Sequence, residues 1–399
     1  MMKKRTIYLI ILAWFQSITF NIAHPITPSL VNYLNIPERM FGIFFSMMSL
    51  GIVIASPFWG ILADRGKPTI YMLFGAFLYA LGQFGFGYSQ DVILMTISRF
   101  VSGLGASSLL TITAALIVQQ QENLNVGKAL SWLGAFIILG SSIGYYIGGF
   151  ASTFKETLQA DSFQYVFFIQ IVLIALYGML VWLITKPISS VYLTKKSTMI
   201  DDIRNMTRIP FDQFLFFLSL SLATMSYIYM SKYLDVYFNT LGFNPSILGE
   251  FVLISGAISV LFTLIVVPKI IHSKPIFWIF VFFMMSVTSL LIVFRLPNFL
   301  LSMYTIYMFF IIAKASYQPF EQNYIATFGT LPYGALMGIR QLFVGIGMVL
   351  GPIFLGFIYD FNSILSFDIA ALMILISLVL TLVSHFLRVK NKKSIKSPF

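Results

Sequence analysis

The sequence has no cysteine and only three histidines. The first absence excludes disulfides and thiolate metal sites. His24, His272 and His385 are too scattered along the chain to suggest a metal cluster. Charge is scarce as well: Asp, Glu, Lys and Arg make up 10% of the 399 residues, where a soluble domain carries roughly 25%. With 58% hydrophobic residues, no water-soluble core would absorb the apolar surface. The scarcity of charge leaves apolar runs of about 20 residues, the length that crosses a ~30 Å hydrocarbon layer as helix. These runs are continuous rather than alternating, which excludes a transmembrane barrel, and helices satisfy their own backbone hydrogen bonds in lipid. A membrane enzyme or sensor is a remote alternative, because the chain lacks a soluble domain, a nucleophile with a nearby base motif and an intramembrane His/Asp/Glu metal spacing.

What charge there is leans positive, to a net +11. The Lys and Arg residues sit in short loops and at the tail, as the positive-inside rule places them, so nucleic acid is not an expected partner. Lys3-Lys4-Arg5 followed by Thr6 to Phe20 has the charge pattern of a signal peptide. The apolar run continues to about Tyr33 without a small-residue cleavage site, so it reads as a retained first helix. Breaks at Pro, Gly and charge clusters predict helices over 6–33, 41–63, 69–88, 91–119, 128–151, 163–184, 212–238, 246–271, 275–294, 298–328, 334–359 and 365–387. With the N-terminus inside, inner segments hold Lys3, Lys4, Arg5, Arg65, Lys67, Lys128, Lys186, Lys195, Lys196, Arg204, Arg208, Lys269, Lys274 and the tail from Arg388 to Lys396. The outer loops hold only Arg39, Lys155 and Arg295 among bases, beside Glu38, Asp91, Glu156, Asp161, Asp360 and Asp368. This asymmetry favours an even helix count with both termini cytoplasmic, in the cell membrane.

The longest polar stretch, 185–211, separates a six-helix bundle at 1–184 from a second at 212–388, and a basic tail follows at 389–399. Sliding one half on the other by 207 residues aligns Asn32 with Asn239, Leu34 with Leu241, Gly42 with Gly249, Phe44 with Phe251, Lys67 with Lys274 and Pro68 with Pro275. The same offset aligns Gly140, Gly144, Gly149 and Phe150 with Gly347, Gly351, Gly356 and Phe357. Agreement at a single offset predicts parallel repeats of six helices, an arrangement found among membrane transporters.

Three segments carry a family resemblance. Gly60-Ile61-Leu62-Ala63-Asp64-Arg65-Gly66-Lys67-Pro68 ends one helix in an acid and fills a tight turn with bases. Arg99-Phe100-Val101-Ser102-Gly103-Leu104-Gly105-Ala106 puts an arginine about two turns inside the fourth helix. Gly140-Ser141-Ser142-Ile143-Gly144-Tyr145-Tyr146-Ile147-Gly148-Gly149 is a small-residue face in the fifth, matched by Gly347-Met348-Val349-Leu350-Gly351-Pro352 in the eleventh. These segments resemble the loop, arginine and glycine motifs of the major facilitator superfamily, the last of them those of its drug/proton antiporter branch. Three departures stand out: the loop is short, Ser102 replaces Gln, and Tyr145 stands where proline is expected. The resemblance implies an all-α membrane fold of twelve transmembrane helices in two six-helix bundles related by a pseudo-two-fold. It also implies a conformational-switch loop formed by Gly60, Asp64, Arg65, Gly66 and Lys67. Arg99 would take part in proton coupling, the alternatives being a structural partner or snorkelling to the outer interface, and Gly103, Gly140, Gly144, Gly148, Gly149, Gly347 and Gly351 would pack helices.

In the superfamily, helices one, four, seven and ten line the cavity. At 100° per residue, Trp14, Ser17, Asn21, His24 and Pro28 fall within an arc of roughly 80° on helix one. Shifted by 207, Ser17, His24 and Pro28 map to Thr224, Ser231 and Asp235 on helix seven. His24 is either a proton carrier or a structural histidine beside Pro25. Lys314, Tyr317, Gln318, Glu321 and Gln322 form one polar face on helix ten. Lys314 and Glu321 are a proton relay or a neutralising pair, although seven residues rise ~10.5 Å along a helix. Arg340, about two turns from the cytoplasmic end, reads as structural. Asp235, Glu250 and Lys232 are expected near the outer surface. The substrate-cavity candidates are therefore Trp14, Ser17, Asn21, His24, Thr224, Ser231, Tyr317 and Gln318, and the proton-coupling candidates are Arg99, Lys314, Glu321 and Asp235. The expected function is export of a small amphipathic compound, driven by a proton gradient and requiring no cofactor, by a chain working as a monomer in the bilayer. Transport of an anionic metabolite or flipping of a lipid-linked molecule is the alternative; the lack of a mid-depth carboxylate favours a neutral or anionic substrate, or coupling through Glu321 and His24.

Overall fold

The computed structural model describes residues 4–63, 67–120, 123–154, 163–185, 209–271, 273–329, 331 and 333–396. Among these residues all regular structure is helical. The first part of the chain forms α1 (Lys4–Asn21), α2 (Thr27–Tyr33), α3 (Arg39–Ala63), α4 (Pro68–Tyr88), α5 (Val92–Gln120), α6 (Asn123–Ala151), a short 3-10 turn and α7 (Gln164–Thr185). The second part forms α8 (Phe211–Thr240), α9 (Pro245–Ile265), α10 (Val267–Ile270), α11 (Pro275–Val293), α12 (Phe299–Ala326), α13 (Tyr333–Phe361) and α14 (Ser363–Lys396).

Eleven spans along these helices are long and apolar enough to cross a membrane. The twelfth crossing is α1 with α2, and here the structure corrects the expected continuous helix over 6–33. Pro25 has no N–H to donate and disfavours helical backbone at His24 before it, so the chain turns between Asn21 and Thr27. His24 N–H and Thr27 N–H bond instead to the carbonyls of Asn21 and His24, three residues back. Pro28 then opens α2 in the first turn, where a missing donor costs nothing. The polar stripe from Trp14 to Pro28 is therefore not one helical face.

The 207-residue repeat is visible in the backbone. Asn35 and Gly242, 207 apart, both have positive φ, 55° and 79°. Each ends its helix with the same pair of bonds: Ile36 N–H to Val31 O at 3.0 Å with Asn35 N–H to Asn32 O, and Phe243 N–H to Phe238 O at 3.0 Å with Gly242 N–H to Asn239 O. This is a left-handed helix cap, open to Gly and Asn because they tolerate that conformation. Likewise Pro68 and Pro275 both open helices, with Lys67 and Lys274 as caps.

Contacts divide the chain into two compact units. One comprises Met1–Lys196 with Tyr233–Val260, the other Ser197–Lys232 with Leu261–Phe399. In the first, α3 and α4 pack on α5, and α1 packs on α6 and α7. Gly103 lets α5 approach the Met48 carbonyl of α3, and Leu9, Tyr79, Leu109, Ile112, Leu116 and Tyr177 fill the core. In the second, α11 packs on α12 and α14, and α13 on α14. Large apolar side chains point outward from both, among them Phe77 at 60%, Ile93 at 70% and Phe386 at 71% exposure. A surface of this kind suits lipid and would aggregate in water.

Candidate functional site

The glycine motifs decide how the helices bearing the polar residues sit. In the first unit Gly140, Gly144 and Gly148 rest on the carbonyls of Trp14, Ile18 and Ile22, four residues apart along α1 and into the turn after it, and Gly149 on that of Pro245. In the second, Gly347 and Gly351 rest on the carbonyls of Ser221 and Met225. Trp14 and Ile18 become Ser221 and Met225 at the same 207 offset, so the two ladders are one contact made twice. Small residues let the backbones meet, which is where lipid-embedded helices gain packing energy.

Alongside the first ladder lies a cavity of 320 Å³ lined by Gln16, Ser17, Phe20, Asn21, Leu110, Ile137, Ile138, Ser141 and Ser142. Ser17 donates to Ile137 O at 2.8 Å and Asn21 to Ser17 O at 2.7 Å. Of the four helix-one candidates, Ser17 and Asn21 line this space. Trp14 stands beside Gly140, and His24, in the turn, is stacked between Phe45 and Tyr145 with ring centroids 5.1 and 5.5 Å away. Gln16, Ser141 and Ser142 were not singled out in the sequence, though a glutamine inside an apolar run is a visible signal.

Arg99 is 2% exposed and does not snorkel to an interface. Its guanidinium lies 3.6 Å from the Phe86 ring centroid and 5.6 Å from that of Phe45. Nη1 makes a long 3.5 Å bond to Gln83 Oε1, while Nε and Nη2 find no hydrogen-bond acceptor among the described residues. Cation–π attraction replaces part of the lost hydration. Asp235 is 2% exposed, and its Oδ2 accepts a 2.9 Å hydrogen bond from Tyr145. Tyr145, the departure from the glycine motif, thus supplies a donor that proline would not.

In the second unit, Lys314 hydrogen-bonds to the Ser231 hydroxyl, and Ser231 donates to Tyr227 O at 2.6 Å. Glu321 is fully buried and paired with Arg340, whose Nε donates to Oε1 at 2.6 Å. Lys314 and Glu321 are therefore not a neutralising pair, because helical rise separates them and each turns to a different helix. Arg340 is the partner that depth along α13 did not reveal. Tyr317 is buried between the rings of Phe283 and Tyr227, at 4.7 and 6.0 Å, whereas Gln318 is exposed. Thr224 donates to Leu220 O at 2.8 Å and lies beside Gly347. A cavity of 410 Å³ at the basic end is lined by Lys274, Pro275, Ile276, Tyr324, Thr327, His385, Arg388 and Val389.

Of the switch-loop candidates, Asp64, Arg65 and Gly66 lie outside the described residues, as does most of the 185–211 stretch. Gly60 is buried near Thr111 and Lys67 is exposed. Among the described residues no three His, Asp or Glu side chains come together as a metal site would need.

Comparison with known proteins gives these features a context. The family model described as Major Facilitator Superfamily matches residues 9–331. The chain is 21% identical over 392 residues to Multidrug resistance protein 2 of Bacillus subtilis (strain 168), covering 96% of each. It is 25% identical over 126 residues, 32% of each chain, to Quinolone resistance protein NorA of Staphylococcus aureus (strain MRSA252). A crystal structure of the nucleoside transporter NupG, solved as a point mutant, superposes with a TM-score of 0.74 at 14% identity, covering 96% of this chain and 99% of that one.

Proposed function

Because this chain belongs to the Major Facilitator Superfamily, whose members carry small molecules across membranes, we propose that it exports a small amphipathic compound in exchange for protons. The observation that carries this reading is the end-to-end similarity to Multidrug resistance protein 2. The repeated glycine ladders support it too: each fixes a helix pair tightly, so that each pair moves as a rigid element during alternating access. Export draws on the proton gradient, with no cofactor. The chain works alone in the cell membrane, with both termini in the cytoplasm, where the positive-inside bias puts them.

Two acids are the proton carriers of this proposal. Glu321 is buried against Arg340, and Asp235 is buried against Tyr145. Buried ionisable groups in a membrane helix mark proton and substrate pathways because their charge is expensive to keep there without purpose. Arg99, between two aromatic rings, would hold positive potential in the first unit. The cavity beside Ser17 and Asn21 supports a substrate path along α1.

Reconstitution tests the reading. In liposomes with an imposed pH gradient, at least one of a panel of lipophilic cations, neutral drugs and amphipathic anions should accumulate, accompanied by opposite proton flux. A panel that moves no faster than in protein-free liposomes would reject it.

A further inference from the structure

Lys314 lies in the middle of α12, fifteen residues after Phe299 and twelve before Ala326. Its ammonium is held by the Ser231 hydroxyl, which carries no charge and already donates its own proton to Tyr227 O. Among the described residues no carboxylate lies within ion-pair distance of Lys314. Glu321, two turns along the same helix, is taken by Arg340. Two arginines of the unit are each matched by an acid: Arg340 by Glu321, and Arg295 by Asp368 at 2.6 Å. A lone ammonium at mid-membrane is expensive unless an anion or water meets it.

The surroundings suit a ligand. Lys314 is half-buried, unlike the fully buried Glu321. One turn further on the same face, the buried hydroxyl of Tyr317 has no hydrogen-bond partner among the described residues. The buried rings of Tyr227 and Phe283 pack on Tyr317 and hold its ring in place. We infer that Lys314 is the anion-binding residue of the substrate site, pairing with a carboxylate, sulfonate or phosphate group of an amphipathic substrate. Ser231 positions the ammonium, and Tyr317 supplies a second donor. The inference rests on the transporter reading above and narrows it to anionic cargo.

The experiment compares naphthalene-1-sulfonate, its neutral isostere naphthalene-1-sulfonamide and the cation tetraphenylphosphonium on the full-length chain. Binding is measured in nanodiscs and pH-gradient-driven flux in proteoliposomes. The parent should bind the sulfonate about tenfold or more tighter than the sulfonamide, and transport it. Lys314→Gln should erase that preference, and Lys314→Arg should keep it. Equal affinity of the parent for the sulfonate and the sulfonamide overturns the inference, and so does an unchanged preference in Lys314→Gln. The parent comparison decides the question even where the glutamine variant does not fold. Flux of tetraphenylphosphonium without any sulfonate flux overturns the anionic assignment while leaving the transporter reading intact. Flux of no probe overturns both.

Discussion

Asn32 donates from Nδ2 to Oδ1 of Asn239 across 2.5 Å, and the two residues are 207 positions apart, the offset that relates the halves of the chain. In a two-fold repeat only residues beside the axis meet their own counterparts, so this bond marks where the repeats join. It does not stand alone. Asn239 also donates to Ser29 Oγ at 2.8 Å, and Thr240 to Glu38 Oε1 at 3.2 Å. Alternating access requires helices at such a junction to separate and rejoin. In the cysteine-free parent, the pair Asn32→Cys and Asn239→Cys can be bridged by a short bifunctional thiol reagent without background. Bridging is expected to stop transport, with each single variant unaffected by the reagent. Full transport after complete bridging would show that the junction never opens.

The glycine ladder predicts a contrast within one helix. A methyl group at Gly148 would run into the Ile22 carbonyl, whereas one at Gly134 meets nothing within 4 Å. Gly148→Ala should destabilise the chain by about 1–3 kcal/mol, the range for overpacking. Gly134→Ala should be neutral or gain ~0.5–1 kcal/mol from reduced backbone entropy. Thermal unfolding in detergent measures both, and equal shifts would mean that α6 does not rest on α1 as described.

Glu321 and Arg340 predict a non-additive pair. Arg340→Met leaves a fully buried carboxylate without its cation, an arrangement that costs about 3–5 kcal/mol. Replacing both, as Arg340→Met with Glu321→Leu, should cost less than Arg340→Met alone, because no charge is then stranded. If Glu321 carries the proton, Glu321→Gln should abolish gradient-driven transport and leave substrate exchange measurable. Gradient-driven rates equal to those of the parent would remove Glu321 from the coupling path.

Much of the fold could be read from sequence because it is written in spacing. Gly140 and Gly144 fall one turn apart, and the 207 offset names Gly347 and Gly351 as their counterparts before any contact is seen. Lys67-Pro68 and Lys274-Pro275 announce two helix starts. The break at His24-Pro25 was hidden by the apolar run that continues through it, since hydropathy reports burial in lipid and not backbone continuity. The partners of buried charges were hidden for another reason. Depth along a helix follows from residue number, but which neighbouring helix a side chain meets depends on rotation and packing. Arg340 reads as structural from its depth, but its partner, Glu321, is visible only in the packing. Phe86 and Gln83, which surround Arg99, come from a different helix.

Tyr145 offers the sharpest test of how a departure from the family pattern was put to use. Its ring stacks on His24 at 5.5 Å, and its hydroxyl donates to Asp235 at 2.9 Å. Tyr145→Phe keeps the ring and removes the donor, so packing on His24 should survive while Asp235 loses a charge-assisted bond worth about 1.5–3 kcal/mol. If Asp235 takes part in proton coupling, Tyr145→Phe should slow gradient-driven transport in the same direction as Asp235→Asn, and both should spare exchange. Tyr145→Pro restores the residue the family pattern expects, yet it removes the ring as well as the hydroxyl, and should be more damaging than Tyr145→Phe in thermal unfolding. A Tyr145→Phe variant that transports and unfolds like the parent would reduce the bond to Asp235 to a bystander. The tyrosine would then matter only through the face it shares with His24.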